Sequence, residues 1–285
     1  MADNENFFDL KSLKDAITIS SERSRLKLKN RLSIYEIIAE KETICQESQA
    51  QNYVLWPFDN EEMETVNLIL IGETGKGKTT IINGILNFIM KITYKNVFRL
   101  SVPVDNLSAD KRNVDSQTEV ITLYTIPYVE GMPYKNNFVL IDTPGLLDTH
   151  GPKCQKQNLD RINLFLNDNF QLEKCFIGIV VEANLPNSFN ANKLIHEIEK
   201  IVGELLNVEI ILIATFADFT KPKCFNTLEK LNMDVCGKFT FNNRIIFSSI
   251  NDDEDFKEDW ESWENSMTAL LDCITQRLMI GGSSG

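Results

Sequence analysis

The chain has 285 residues, 43% apolar and 25% charged, and its 41 acidic against 29 basic side chains give a net charge of −12. That length suffices for one large domain or two modest ones, and the acidic balance argues against a general nucleic-acid binder. Six cysteines with no CxxC pair, beside only two histidines, argue against a zinc site and for reduced thiols in a cytoplasmic protein.

The first 65 residues are polar and interrupted. Leu28, Leu32, Tyr35 and Ala39 recur at helical spacing, which predicts a helix over about 22–48 within an N-terminal helical extension, 1–65. Its cluster of Arg23, Arg25, Lys27, Lys29 and Arg31 reads first as a solvated face, with peripheral contact to anionic membrane lipid as the alternative. No apolar run is long enough to span a bilayer, and "MADNENFFDL" lacks the apolar core of a signal peptide.

From Val66 onward, short apolar runs at 66–71, 119–127, 138–141, 175–181, 208–214 and 244–248 alternate with helical stretches. Such alternation predicts an α/β domain over 66–280, a mostly parallel sheet with helices on both faces. The short link "YVEGMPYKNN" makes 119–127 and 138–141 an antiparallel exception. In "ANKLIHEIEKIVGELL" one face carries Leu194, Ile195, Ile198, Ile201, Val202 and Leu205. A final helix over about 258–279 buries Trp260, Trp263, Met267, Leu270, Leu271 and Ile274. The closing "GGSSG", 281–285, reads as a vector-derived tail on a truncated natural chain.

The chemistry concentrates at "LILIGETGKGKTT". Gly72, Gly77, Lys78 and Thr79 complete G-x-x-x-x-G-K-[ST] between an apolar strand and a helix, the context that motif requires. In such a loop, here Gly72, Glu73, Thr74, Gly75, Lys76, Gly77, Lys78, Thr79 and Thr80, glycines turn backbone N–H groups toward phosphate oxygens at a helix N-terminus. Lys78 is the candidate for the β- and γ-phosphates, and the Thr79 hydroxyl for Mg²⁺. "NNFVLIDTPGLLDT" then ends an apolar strand on Asp142, a second Mg²⁺ candidate, with Gly145 placed to sense a γ-phosphate.

"TFAD", Thr215 to Asp218, ends another buried strand where guanine-specific proteins carry [NT]-K-x-D. An aspartate there accepts from guanine N1–H and the exocyclic amine, and adenine would leave it unpaired. Phe216 replaces the usual lysine, and its ring is suited to stacking on the base. The remaining wall of the base pocket is expected after the strand "RIIFSSIN", at Ser248 and Ser249, with Asn242 and Asn243 as the other candidates. In "NVDSQTEVITLY", Thr118 is the candidate to complete the Mg²⁺ shell, while Thr122 and Thr125 read as ordinary strand residues.

GETGKGKTT, SQTEV, IDTPGLLDT and TFAD, in this order, resemble the septin-like branch of translation-factor-related (TRAFAC) GTPases, nearest the immunity-associated AIG, GIMAP or paraseptin type. The likeness covers about 66–279 and includes "FNNRIIFSS" and "DWESWENSMTALL". It implies a P-loop GTPase G domain with a largely parallel six-stranded sheet, GTP or GDP and Mg²⁺ as ligands, and homodimers or oligomers through the nucleotide face. One departure concerns catalysis: Leu146 follows DxxG where many GTPases carry a water-orienting glutamine. Slow hydrolysis by the monomer is therefore expected, with a partner, or Asp148, Thr149 or His150 in the same segment, supplying what Leu146 lacks. Two alternatives stand beside this reading: an interaction module locked by its nucleotide with little hydrolysis, and an ATP-using P-loop protein.

Overall fold

The computed structural model describes residues 16–17, 24–29, 32–56, 63–104, 120–146, 151–168, 175–184, 189–202, 208–217, 222–229, 234–248 and 254–281. Its centre is an eight-stranded mixed sheet. Five strands run parallel: β11 (Val235–Thr240), β10 (Val208–Thr215), β9 (Cys175–Glu182), β5 (Thr65–Gly72) and β8 (Asn137–Asp142), in that spatial order. Next to β8 lies β7 (Thr122–Ile126), antiparallel to it as its short link requires. Beyond it come β4 (Ala50–Val54), parallel to β7, and β3 (Glu40–Cys45), antiparallel to β4.

The central strands are apolar on both faces because both faces are covered. On β5, Leu68 and Leu70 point to one side, where they meet α1 (Lys78–Ile89) and the long α5 (Glu254–Gly281) with Trp260, Trp263 and Met267. Ile69 and Ile71 point to the other, toward α2 (Pro152–Asp168) and α3 (Phe189–Val202) with Phe165, Leu194 and Ile198. The short α4 (Cys224–Leu228) adds Cys224 and Leu228 to that second layer. Among the described residues no helix is long and apolar enough to cross a membrane.

Three sequence expectations are corrected here. Before Thr65 only Ala16 and Ile17 are helical among the described residues. The predicted helix over 22–48 is instead β1 (Ser24–Lys29), β2 (Leu32–Ile37) and β3. On β2 the alternation of Leu32 and Ile34 with Ser33 and Tyr35 prevails over the helical spacing. It buries Leu32 and Ile34 and leaves Ser33 half-buried. Second, the sheet has eight strands rather than six and two antiparallel pairings rather than one, since the N-terminal segment supplies β3 and β4. Third, the apolar run expected as a strand at 244–248 lies in a 3₁₀ turn over Asn243–Phe247, while the edge strand β11 lies just before it. Ile245 and Ile246 are buried under α1 and α5, so that apolar run packs a layer rather than a ladder.

A second, three-stranded sheet joins β1, β2 and β6 (Phe98–Ser101), with β1 antiparallel and β6 parallel to β2. The other edge of β6 is satisfied by side chains from α1. Asn87 accepts from Leu100 N (3.0 Å) and donates to Leu100 O (2.7 Å), and Asn83 accepts from Val102 N (2.8 Å). Two asparagines one turn apart thus serve the helix as a substitute strand, meeting the demand that buried backbone groups be paired.

Arg99, on β6, is fully buried without a described carboxylate partner. Its guanidinium donates to the carbonyls of Ile246 (2.8 Å), Asn96 and Phe98 (2.7 Å each) and lies 4.6 Å from the Trp260 ring. Burial pushes its pKa down to about 10, which still leaves it cationic at neutral pH. Arg99→Ala orphans three carbonyls and opens a cavity beside Trp260. It should lower stability by about 3 kcal/mol or more, read as a shift in the urea midpoint at unchanged slope.

Candidate functional site

The loop between β5 and α1 is shaped by two close approaches and two left-handed glycines. A Cβ on Gly72 would fall 2.1 Å from the carbonyl oxygen of Val180 on β9, so no larger residue fits. Gly75 and Gly77 have φ of +74° and +90°, the left-handed region that side chains avoid. A Cβ on Gly145 would lie 1.8 Å from Thr74 Oγ1 and 2.5 Å from Thr74 N, so the D-T-P-G segment rests directly on the loop. Leu146 N donates to Gly72 O (3.0 Å), and Asn158 Nδ2 donates to Gly145 O (3.0 Å), fixing that segment from both sides.

Lys78 begins α1 and is buried, 6% exposed. Its Nζ donates to Gly72 O and Glu73 O at 3.0 Å each, so the ammonium is held in the ring of its own loop. Burial pushes its pKa down, opposed by the Asp142 and Glu73 carboxylates. The next residue, Thr79, donates from Oγ1 to Asp142 Oδ2 at 2.5 Å. The two Mg²⁺ candidates described here are therefore in contact, one at the start of a helix and the other at the end of β8. Thr74 Oγ1 is buried with no hydrogen-bond partner among the described residues.

The opposite wall comes from β9 and β10. Thr215 Oγ1 lies 2.8 Å from Lys76 O and 3.1 Å from Val181 O, tying the "TFAD" segment to the phosphate loop. Phe216 has φ +51° and is 45% exposed, a left-handed backbone and a bare ring on a non-glycine residue. Ala217 N donates to Phe241 O (3.2 Å), joining this turn to the end of β11. Lys76 Nζ donates to Glu182 Oε2 at 2.6 Å. Sequence reasoning missed Glu182, although an acid closing the apolar run of β9 is the same signal that marked Asp142.

Thr118, Asp218 and Ser249 lie outside the described residues, as do Asp148, Thr149 and His150. Of the other base-pocket candidates, Ser248 Oγ donates back to Arg244 O (2.7 Å), and Asn243 Oδ1 accepts from the Trp263 indole (3.0 Å). Asn242 precedes the 3₁₀ turn and is half-buried. Thr122 accepts from Gln51 Nε2 (3.1 Å), and Thr125 donates to Asn52 (2.9 Å), the strand roles expected of both.

Polyphosphate and Mg²⁺ fit this set of residues. A buried lysine partnered only by carbonyls among its hydrogen bonds, an unpartnered buried hydroxyl and two left-handed glycines before a helix N-terminus form an anion cradle. The adjoining hydroxyl and carboxylate of Thr79 and Asp142 are hard oxygen donors, which suit Mg²⁺.

No family model matches the chain, and no curated protein matches its sequence. Among solved structures, similarity is found to the GTPase-like domain of Ski7 from S. cerevisiae. Its GTP-bound form shows 15% identity and a TM-score of 0.42 over 72% of this chain. The form bound to GDP and inorganic phosphate shows 16% and 0.39 over 63%. This chain spans 50% and 43% of the length of those two chains. The signal recognition particle receptor SRb-GTP/SRX complex from Chaetomium thermophilum is also similar, with 16% identity and a TM-score of 0.37 over 71% of this chain and 98% of that one. At these values the likeness assigns no activity to the chain.

Glu73 supplies a test of the cradle's electrostatics. Burial raises its carboxyl pKa, with Glu182 adding to the rise and Lys76 and Lys78 opposing it. A folded-state pKa above the unfolded one means that ionised Glu73 weakens the fold as pH rises through the folded value, whereas below about pH 4.5 the penalty vanishes. Urea midpoints of the native chain and Glu73→Gln should coincide near pH 4 and separate by pH 7, with the Gln variant the more stable.

Proposed function

We propose that the chain is a guanine-nucleotide-binding protein that holds GTP or GDP with Mg²⁺ in the loop from Gly72 to Thr80 and hydrolyses GTP slowly. The observation that carries this reading is the buried Lys78 ammonium inside the loop, one residue from the Thr79–Asp142 contact. Backbone N–H groups of the loop and Lys78 would hold the β- and γ-phosphates, and Thr79, Asp142 and Thr118 would hold the metal. When bound, Mg²⁺ neutralises charge developing on the transferring phosphoryl group. Gly145, pressed against Thr74, is placed to respond to a γ-phosphate. Thr215, Phe216, Asp218 and Ser249 are the base-side residues of this reading, the exposed Phe216 ring offering a stacking platform.

The motif set supports a septin-like, immunity-associated assignment. With it come a cytoplasmic setting and nucleotide-dependent self-association through the face that carries the loop.

Calorimetry on nucleotide-stripped chain with Mg²⁺ tests the core of this proposal. GTP and GDP should bind and ATP should bind much more weakly. Lys78→Ala should weaken GTP by about 100-fold or more through loss of charge-assisted phosphate contacts. Asp218→Asn should abolish the preference for guanine over adenine. No heat with any of the three nucleotides overturns the proposal.

One observation favours a second reading, a module that its nucleotide locks with little turnover. Leu146 is 1% exposed and its N–H is spent on Gly72 O, so this position cannot orient an attacking water. Phosphate release measured over rising protein concentration separates the two. Specific activity that climbs with concentration supports hydrolysis completed by a second copy, whereas none at any concentration leaves the locked module.

A further inference from the structure

The seam between β11 and α5 lies away from the phosphate loop and carries two cysteines that the nucleotide reading does not use. Cys236 sits on β11 and Cys273 on α5, both half-buried and both free thiols. The Sγ of Cys273 lies 3.7 Å from the backbone oxygen of Cys236. A Cβ on the intervening Gly237 would stand 3.3 Å from the same sulfur and 2.5 Å from the Phe239 ring, so a glycine is what lets the helix bring its thiol onto the strand. Burial, and after it the neighbouring Cys273, pushes the Cys236 thiol up to about 12. One helical turn away, at Ala269, lies a cleft of about 560 Å³ lined by Lys238, Thr240, Glu258, Glu261 and Asn265.

We propose that Cys236 and Cys273 are a redox-responsive dithiol that closes to a disulfide and staples the edge strand to the terminal helix. The co-reactant is a low-molecular-weight disulfide such as oxidised glutathione. One protein thiolate attacks a glutathione sulfur, giving a mixed disulfide and one glutathione thiol. The second protein thiolate then displaces the other glutathione. Two protein thiols lose two protons and two electrons, and one glutathione disulfide becomes two glutathione thiols. With the Cys273 sulfur already against the Cys236 backbone, closure to a sulfur–sulfur bond of about 2.05 Å asks for rotation of side chains on two elements packed together. Burial disfavours the Cys236 thiolate, so attack by that sulfur is slow at neutral pH and faster as pH rises. The bond would close a long loop, the case in which a crosslink restricts the unfolded chain most. This inference does not depend on nucleotide binding.

The test treats the full chain with oxidised glutathione at pH 8 and analyses it without reduction. The expected result is a mass loss of about 2 Da, a proteolytic fragment linking the Cys236 and Cys273 peptides, and a melting temperature raised by roughly 5 °C that dithiothreitol reverses. Cys236→Ser and Cys273→Ser should each abolish the rise and stop at a glutathione adduct, and Cys45→Ser should leave it intact. A stable adduct on either cysteine of the native chain, a bond between other cysteines, or a crosslink that lowers the melting temperature overturns the proposal. Cys236→Ala serves as the second variant if the serine form fails to fold.

Discussion

The Lys78 ammonium is buried in a ring of backbone, and the surrounding architecture answers to that fact. Removing a charged amine from water costs several kcal/mol unless polar groups replace its hydration. Here two carbonyls of its own loop replace part of it, and the lowered pKa records the part left over. A cation held in place and incompletely solvated is a strong site for an anion, because the geometry is already formed before the anion arrives. The tight contacts around it follow from the same need. Gly72 lies against Val180 and Gly145 against Thr74, so the loop is clamped between β9 and the D-T-P-G segment.

The clamp is held from behind by polar side chains buried in an apolar layer. Asn83 and Asn87 on α1 fix β6, Arg99 on β6 fixes the carbonyl of Ile246 in the 3₁₀ turn, and Trp263 on α5 fixes Asn243 in the same turn. Each link is worth little alone, but a buried polar group left without its partner is expensive, so the chain of contacts favours one arrangement. It runs from the helix that starts at Lys78 to the turn that follows β11, joining the phosphate side of the site to the side where the base is expected.

What could be read from the sequence was what local chemistry determines. The phosphate loop is legible because glycine, lysine and threonine at fixed spacing serve one short backbone turn, and the structure brings Gly72, Lys78, Thr79 and Asp142 together. The central strands are legible because two covered faces demand unbroken apolar runs. The edges were not. β11 is a half-exposed "VCGKFT" that lacks such a run, and it is a strand because β10 offers it a ladder. The N-terminal strands read as a helix because Leu28, Leu32, Tyr35 and Ala39 fit a helix as well as the alternation of Leu32 and Ile34 with Ser33 and Tyr35 fits a strand. Only the open edges of β6 and β7 decide between them. Glu182 escaped because its partner Lys76 is distant in the chain, and Asn158 because no local pattern marks a helical asparagine that reaches back to Gly145 O.

Among the described residues, covering β7 with β4 and β3 moves the edge of the sheet to β3, and that edge resists pairing with a second copy. Gln51 and Leu55 donate to β7, so the alternate residues of β4 face β3, which leaves the backbone groups of Lys41 and Thr43 pointing outward. A two-fold axis through Lys41 sets that lysine against itself, and one through Glu42 sets that glutamate against itself. Like charges directly opposite destabilise a ladder. An axis through Thr43 falls on the irregularity between Thr43 and Cys45, where the register breaks. Charge and a bulge are how natural sheets keep their edges from joining. Self-association along β3 is thus disfavoured by the strand's own residues.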